Sequence, residues 1–166
     1  DKLFRNDDGH FVEVTEEAKI YSSIIGYGLN VSIGDLNNDG WDDIYVTNDF
    51  HENDYYYVNQ KDGTFKEINT EAFNHESRFS MGSDIADINN DGWLDIITLD
   101  MLPFDEKLIK TAAGDDPLDI YNFKFEFGYY HQYSRNCLQL NTGAGKKFSE
   151  IGLYAGMAAT DWSWAP

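Results

Sequence analysis

Several kinds of residue are scarce in this sequence, and each scarcity excludes a class of protein. The 166 residues include one cysteine, Cys137, so an internal disulfide cannot form. Only 12 residues are basic against 30 acidic ones, and the net charge of −18 disfavours nucleic acid and anionic membranes as partners. No run of about 18 apolar residues occurs, so the sequence predicts no membrane-spanning segment. The first ten residues are unlike a signal peptide, and we expect the chain to be part of a longer polypeptide.

The residues that are abundant indicate a folded β protein. Apolar residues make up 42% of the chain and aromatic residues 16%, which excludes a disordered acidic tail. Fourteen glycines accompany the aromatic residues, a combination that favours short strands and tight turns.

Two phrases repeat along the chain. The phrase IGDLNNDGWDDIYV begins at Ile33, and IADINNDGWLDIIT begins 52 residues later at Ile85. A second phrase occurs three times and places a turn-rich tract between an asparagine and a phenylalanine. These pairs are Asn6 and Phe11, Asn59 and Phe65, and Asn141 and Phe148. The last interval is longer than the one before it, which indicates an insertion at residues 101–134.

Each repeat predicts four short strands, which is the pattern of a β-propeller blade. The predicted strands are 29–33, 43–47, 54–59 and 64–68 in one repeat and 81–85, 95–99, 136–140 and 147–151 in the next. Trp162 and Trp164 alternate as they would on a further strand with one buried face. The predicted units are the end of a preceding blade with a linker (1–27), two blades (28–79 and 80–154) and the start of another (155–166).

The insertion differs in pattern from the repeats around it. Its segments LPFDEKLIKTAA and PLDIYNFKFEFGYY carry proline near their starts and apolar residues at mixed three- and four-residue spacing, which predicts one or two helices. Such an insertion can form a lid, a rim or a contact surface. A loop without a role of its own fits the sequence equally well.

The repeated acidic loops predict two calcium sites. Both fit D-x-N-x-D-G-x-x-D, which places oxygen ligands at alternate positions, and the glycine allows the sharp turn that returns the later ligands to one centre. Nitrogen and sulfur ligands are absent, which disfavours zinc and copper, and a cage of protein oxygens favours Ca²⁺ over Mg²⁺. The predicted side-chain ligands are Asp35, Asn37, Asp39 and Asp43 in the first loop and Asp87, Asn89, Asp91 and Asp95 in the second, with a main-chain carbonyl at position 7 of each loop.

Two other interpretations of these loops are less consistent with the sequence. An EF-hand needs an acidic ligand at position 12, where this chain has Val46 and Thr98. The acid at position 9 instead begins a β-branched run, so the loop should join two strands. An acidic turn that binds no metal remains an alternative, but two copies that match at each ligand position disfavour chance.

The loops resemble those of FG-GAP/VCBS repeats, which occur in integrin α-subunit propellers and in many bacterial surface proteins. The phrases GDLNNDGWDDIYVTNDF and DGTFKE and the ending TDWSWAP resemble the group related to cartilage acidic protein, which often carries an ASPIC/UnbV module. The resemblance implies an all-β fold, a fragment of a seven-bladed propeller with calcium in its blade loops. It also implies that Trp41 and Trp93 contribute the main-chain ligands, and that the protein lies outside the cytoplasm: extracellular, periplasmic or at the bacterial outer membrane.

The expected function is therefore calcium-stabilised binding of a protein partner or adhesion at a surface. The alternative is a propeller that binds or processes surface carbohydrate. None of the four histidines lies in a metal or nucleophile motif, and no G-x-S-x-G, H-E-x-x-H or P-loop sequence occurs. We accordingly predict no enzyme activity, no catalytic residues and no cofactor besides two Ca²⁺ ions.

Overall fold

The computed structural model describes residues 1–21, 23–112 and 116–166, and within these ranges the chain is mainly β, as predicted. The helices of the described residues are α1 (Asn69–Ala72), α2 (Glu106–Ala112) and α3 (Leu118–Glu126). The strands are β1 (Phe4–Asp7), β2 (His10–Glu13), β3 (Tyr27–Gly34), β4 (Asp43–Asp49), β5 (Tyr55–Asn59), β6 (Phe65–Glu67), β7 (Glu76–Ser77), β8 (Gly82–Ala86), β9 (Asp95–Leu99), β10 (Gln132–Tyr133), β11 (Cys137–Asn141) and β12 (Phe148–Glu150).

Two antiparallel sheets of four strands contain all eight predicted strands. We name them sheet 1, in the order β3-β4-β5-β6, and sheet 2, in the order β8-β9-β11-β12. Each strand pairs with the next strand of its own repeat, which is the up-and-down order of a propeller blade. The strand prediction is therefore confirmed, with strand ends shifted by at most two residues.

The core lies between the two sheets and is largely aromatic. Tyr45 on β4 is paired in register with Tyr56 on β5, so both rings lie on the face of sheet 1 that packs against sheet 2. Ile96 and Phe148 from sheet 2 meet them there, and Phe73, which follows α1, fills the space between. The alternate residues of β4 and β5 form a second cluster with Ile20, on the opposite face of sheet 1.

The first strands of the two sheets are joined by polar groups. Asn30 Nδ2 on β3 donates to the Ser83 carbonyl of β8 at 2.6 Å, and Ser32 Oγ donates to the same carbonyl at 3.0 Å. The opposite face of β3 carries Val31 and Ile33, which pair with Val46 and Ile44 and are 56% and 63% exposed. One face of this strand thus contacts the next repeat, whereas the other face leaves two apolar side chains exposed.

Helices α2 and α3 confirm the helical prediction for the insertion, although residues 113–115 lie outside the described residues. The short strands β7 and β10 pair in parallel, and β10 lies at the end of the insertion. Near the C-terminus the prediction was wrong: no strand forms at Trp162 or Trp164, which are 67% and 60% exposed. Among the described residues, no helix is long and apolar enough to cross a membrane.

A buried carboxyl group near the insertion should make stability depend on pH. Burial raises the pKa of Asp54 from an ordinary 3.8 to about 7, although its oxygens accept hydrogen bonds from the Asn48 N–H and the hydroxyls of Tyr45 and Ser80. A raised pKa means that the folded state holds the proton more tightly. The Asp54 carboxyl group therefore makes its full contribution to the stability of the folded state below pH 4, and this contribution is lost as the pH rises through about 7.

We expect Asp54→Asn to reduce this loss, because an amide keeps the shape of the group without its charge. Between pH 5 and pH 8 the free energy of unfolding of the wild type should fall by on the order of 2 kcal/mol more than that of the variant. Urea unfolding at the two pH values measures the difference. Asp119→Asn, at an exposed position on α3, serves as the control. Equal pH dependence in wild type and Asp54→Asn would contradict the prediction.

Candidate metal centres

Each acidic loop joins the first strand of its sheet to the second, as predicted. Loop 1 (35–43) lies between β3 and β4, and loop 2 (87–95) lies between β8 and β9. The two backbones match: Asn38 and Asn90 have φ values of 54° and 60°, and Gly40 and Gly92 have φ values of 86° and 87°. Glycine adopts this left-handed conformation without strain, so the turn at position 6 of each loop suits a glycine.

The first aspartate of each loop holds the turn by accepting two main-chain hydrogen bonds. Asp35 accepts from the N–H groups of Asp39 and Gly40 at 2.9 and 2.7 Å. In loop 2, the carboxylate of Asp87 accepts the equivalent pair of bonds at 3.0 and 2.9 Å. The aspartate at position 5 makes the same contact in both loops, since Asp39 and Asp91 each accept a hydrogen bond from the main-chain N–H of the tryptophan two residues later. The repeated phrase therefore specifies a repeated geometry.

The last aspartate of each loop is fully buried. Asp43 accepts hydrogen bonds from the N–H groups of Leu36 and Asn59, at 3.2 and 2.9 Å. Asp95 accepts from Ile88 and Asn141 at 3.1 and 2.8 Å. Each carboxylate thus ties its own loop to the third strand of its sheet.

The asparagines of the second repeated phrase take part in these loops, a role that sequence reasoning missed. Asn59 and Asn141 are the residues bonded to Asp43 and Asp95, and each lies opposite the phenylalanine of its phrase. Asn141 Nδ2 also donates to the carbonyls of Leu36 and Leu94, so it joins loop 1 to loop 2. The regular spacing between the two repeated phrases was the signal that could have revealed this link.

The carboxylates of a loop do not converge as a complete cage. Among the described residues, the three aspartates of neither loop bring their oxygens within 4.8 Å of one another. Burial raises the pKa of Asp43 to about 6, and the charges of Asp39 and Asp35 add to that rise. The negatively charged carboxylates of a loop repel one another, and a bound cation would compensate this repulsion.

One predicted ligand of loop 1 has a free oxygen. Asn37 Oδ1 is buried and has no hydrogen-bond partner among the described residues. In loop 2 the equivalent Asn89 Oδ1 accepts a bond from the Asp91 N–H, and its amide donates to the Asp91 carboxylate. A buried oxygen without a donor is costly unless a cation or water satisfies it, so Asn37 fits the ligand set assigned to it.

The two loops differ in their neighbours. Lys61 Nζ lies 3.3 Å from Asp39 Oδ2, so a lysine already partly compensates the charge of loop 1. Asn38 Nδ2 donates to the Gly92 carbonyl at 3.0 Å and so connects the two loops directly. Trp41 is 49% exposed and Trp93 is half-buried, and the assignment of their carbonyls as ligands stays a prediction.

Elsewhere among the described residues, one group of potential ligand atoms does meet within 4.8 Å: His75, Cys137 and Glu150. Arg135 Nη2 lies 2.9 Å from His75 Nε2 and 3.4 Å from Glu150 Oε2, so a guanidinium supplies positive charge at this point. Burial raises the pKa of the Cys137 thiol, which keeps it protonated, and the arrangement is a buried ion-pair cluster. Its members are far apart in sequence, and no motif could have identified it.

Comparison with known families agrees with the repeat analysis. A family model described as an FG-GAP-like repeat matches residues 1–46 and residues 35–98. The two matches together span more than half of the chain and overlap in loop 1, and the second match includes loop 2. A search of curated proteins found no match.

Proposed function

Because the chain belongs to the FG-GAP-like repeat family, we propose that it is a calcium-binding segment of a β-propeller that binds a protein partner. In this proposal each loop holds one Ca²⁺ ion, and the ion is structural: it fixes the turn between the first two strands of a sheet. The role is binding and not catalysis. The protein acts outside the cytoplasm, at a surface or in adhesion, as a segment of a longer polypeptide.

The observation that carries the proposal is the matched geometry of the two loops. The same main-chain donors bond to Asp35 and Asp87, and to Asp43 and Asp95, at equivalent positions. These bonds orient the oxygen atoms of both ligand sets, and a basic side chain, Lys61, lies against Asp39 of loop 1. The unpartnered Asn37 Oδ1 and the raised pKa of Asp43 both indicate an arrangement that a hard cation would stabilise.

Calcium titration tests the metal sites. We expect two equivalents to bind, with affinities of roughly 10⁻⁴–10⁻³ M as in extracellular calcium modules. At ten times the dissociation constant each site should add about 1.4 kcal/mol to the free energy of unfolding. Isothermal calorimetry measures the stoichiometry and thermal unfolding measures the stabilisation, each repeated with Mg²⁺ for comparison.

Variants at equivalent positions make this test specific. Asp39→Asn and Asp91→Asn should each remove one of the two binding equivalents. Asp42→Asn should remove neither, because the matching position of loop 2 is occupied by Leu94 and the Asp42 side chain is exposed. The absence of both binding heat and thermal shift in the wild type would overturn the calcium proposal.

A further inference from the structure

A cavity of about 430 Å³ lies between sheet 1 and the end of the insertion. Its walls come from the β4–β5 loop, from the region of β6 and α1, and from residues 127–129 after α3. Two hydrogen bonds hold the insertion at this place: Gln132 Nε2 donates to the Glu52 carbonyl, and the Tyr130 N–H donates to Asn53 Oδ1, both at 2.9 Å. We infer that this cavity binds a primary ammonium group, the lysine side chain of a protein partner.

The charge of the cavity is the first argument. Glu52, Asp54 and Glu67 all line it, and no lysine, arginine or histidine among the described residues does. Glu52 is 9% exposed and Asp54 is 1% exposed, yet none of the three carboxylates forms an ion pair within the described parts of the chain. Asp54 accepts three hydrogen bonds from within the chain, so the negative charge of the cavity comes mainly from Glu52 and Glu67. Carboxylates removed from water without a cation are costly, and a bound cation would offset that cost.

A second observation is an unpartnered acceptor in the same wall. Asn69 is 1% exposed and lines the cavity, and its Oδ1 has no hydrogen-bond partner among the described residues. Its Nδ2 is engaged, since it donates to Glu76 at 2.5 Å. The free groups of this wall therefore include the Asn69 Oδ1 acceptor and the Tyr55 hydroxyl, which can accept as well as donate. An ammonium with three N–H donors would satisfy both oxygens.

The aromatic residues distinguish an organic ammonium from a metal ion. Tyr21, Tyr55 and Tyr129 line the cavity, and the rings of Tyr21 and Tyr55 meet edge to face at 5.7 Å. Calcium requires six to eight oxygens and gains little from rings, whereas an alkylammonium is attracted to aromatic faces through cation–π contacts.

The inference rests on the proposed function only in assigning the ammonium to a protein partner. Binding of a small amine tests the cavity itself, with or without calcium. We expect Nα-acetyl-lysine methylamide to bind saturably and Nα-acetyl-norleucine methylamide, which has the same chain without the charge, to bind at least about tenfold more weakly. Heteronuclear NMR at constant ionic strength follows the side-chain amide of Asn69 and the main-chain amides of Tyr55 and Tyr129.

Two variants identify the site of binding. Glu52→Gln should weaken the lysine derivative at least about tenfold, because it removes a nearly buried charge that faces the ammonium. Tyr129→Leu should also weaken it, through loss of a ring. Glu126→Gln, exposed on α3 and outside the cavity, is the matched control and should bind as the wild type does. Circular dichroism checks that each variant is folded.

Three results would overturn the inference: no saturable binding of the lysine derivative, equal binding of the norleucine derivative, or unchanged binding by folded Glu52→Gln. A glycan that shifts the same amides while the amine does not would also overturn it. A failed calcium titration, by contrast, would overturn the proposed metal sites and leave the amine result intact.

Discussion

Replacing Phe73 with alanine should lower the free energy of unfolding by about 3–5 kcal/mol. Phe73 is 1% exposed and lies at the centre of the core between the sheets. Its ring centroid is 4.9 Å from that of Phe148 in sheet 2 and 5.8 Å from those of Tyr45 and Tyr56 in sheet 1. The substitution leaves a cavity where both sheets meet, and rigid strands on either side prevent it from closing.

Equilibrium unfolding in urea measures the loss, with tryptophan fluorescence and circular dichroism as probes. Phe104→Ala is the control, because Phe104 is 75% exposed and should change stability by less than about 0.5 kcal/mol. A cost for Phe73→Ala below about 1 kcal/mol would show that the two sheets do not share one core. Coincident transitions by the two probes would show that the sheets unfold together.

Replacing Asp43 with alanine should destabilise the protein by about 2–5 kcal/mol even when a chelator keeps calcium away. Asp43 is fully buried, and its carboxylate accepts hydrogen bonds from the N–H groups of Leu36 and Asn59. Alanine leaves both donors buried without an acceptor, and each costs about 1–3 kcal/mol. The loop then loses its attachment to β5 as well as a predicted ligand.

Urea unfolding with and without calcium separates these two effects. Asp42→Ala is the control, since the exposed neighbour carries the same charge and should cost less than about 0.5 kcal/mol. Asp43→Asn should fall between the two, because it keeps one acceptor oxygen. If Asp43→Ala is as stable as Asp42→Ala in chelator, the carboxylate has no structural role apart from metal.

Local chemistry explains which parts of the fold could be predicted. The acidic loops were assigned to strand connections because β-branched residues follow Asp43 and Asp95 directly, and the structure has β4 and β9 begin there. The second repeated phrase predicted a turn between its asparagine and its phenylalanine, and each asparagine lies opposite its phenylalanine in register. Spacing within one short segment decides these features, so no distant contact was needed to infer them.

Prediction failed where distant residues decide the outcome. Trp162 and Trp164 alternate as strand residues do, but a strand forms only when a partner strand supplies hydrogen bonds, and they remain exposed without one. The contacts of Arg135 with His75 and Glu150 join residues from three separate elements. No pattern within a single segment of the sequence could have predicted these contacts.

The sequence by itself determined the repeat, the strand order within each sheet and the oxygen-rich composition of the two loops, because these follow from residue spacing and turn chemistry. Only the tertiary structure decided how the sheets meet, that Asn141 joins the two loops, and that three acidic residues line one cavity beside the insertion. The physical reason is that burial and charge compensation depend on which distant segments pack together. A linear sequence gives the chemistry of each segment, whereas packing determines which groups lose contact with water.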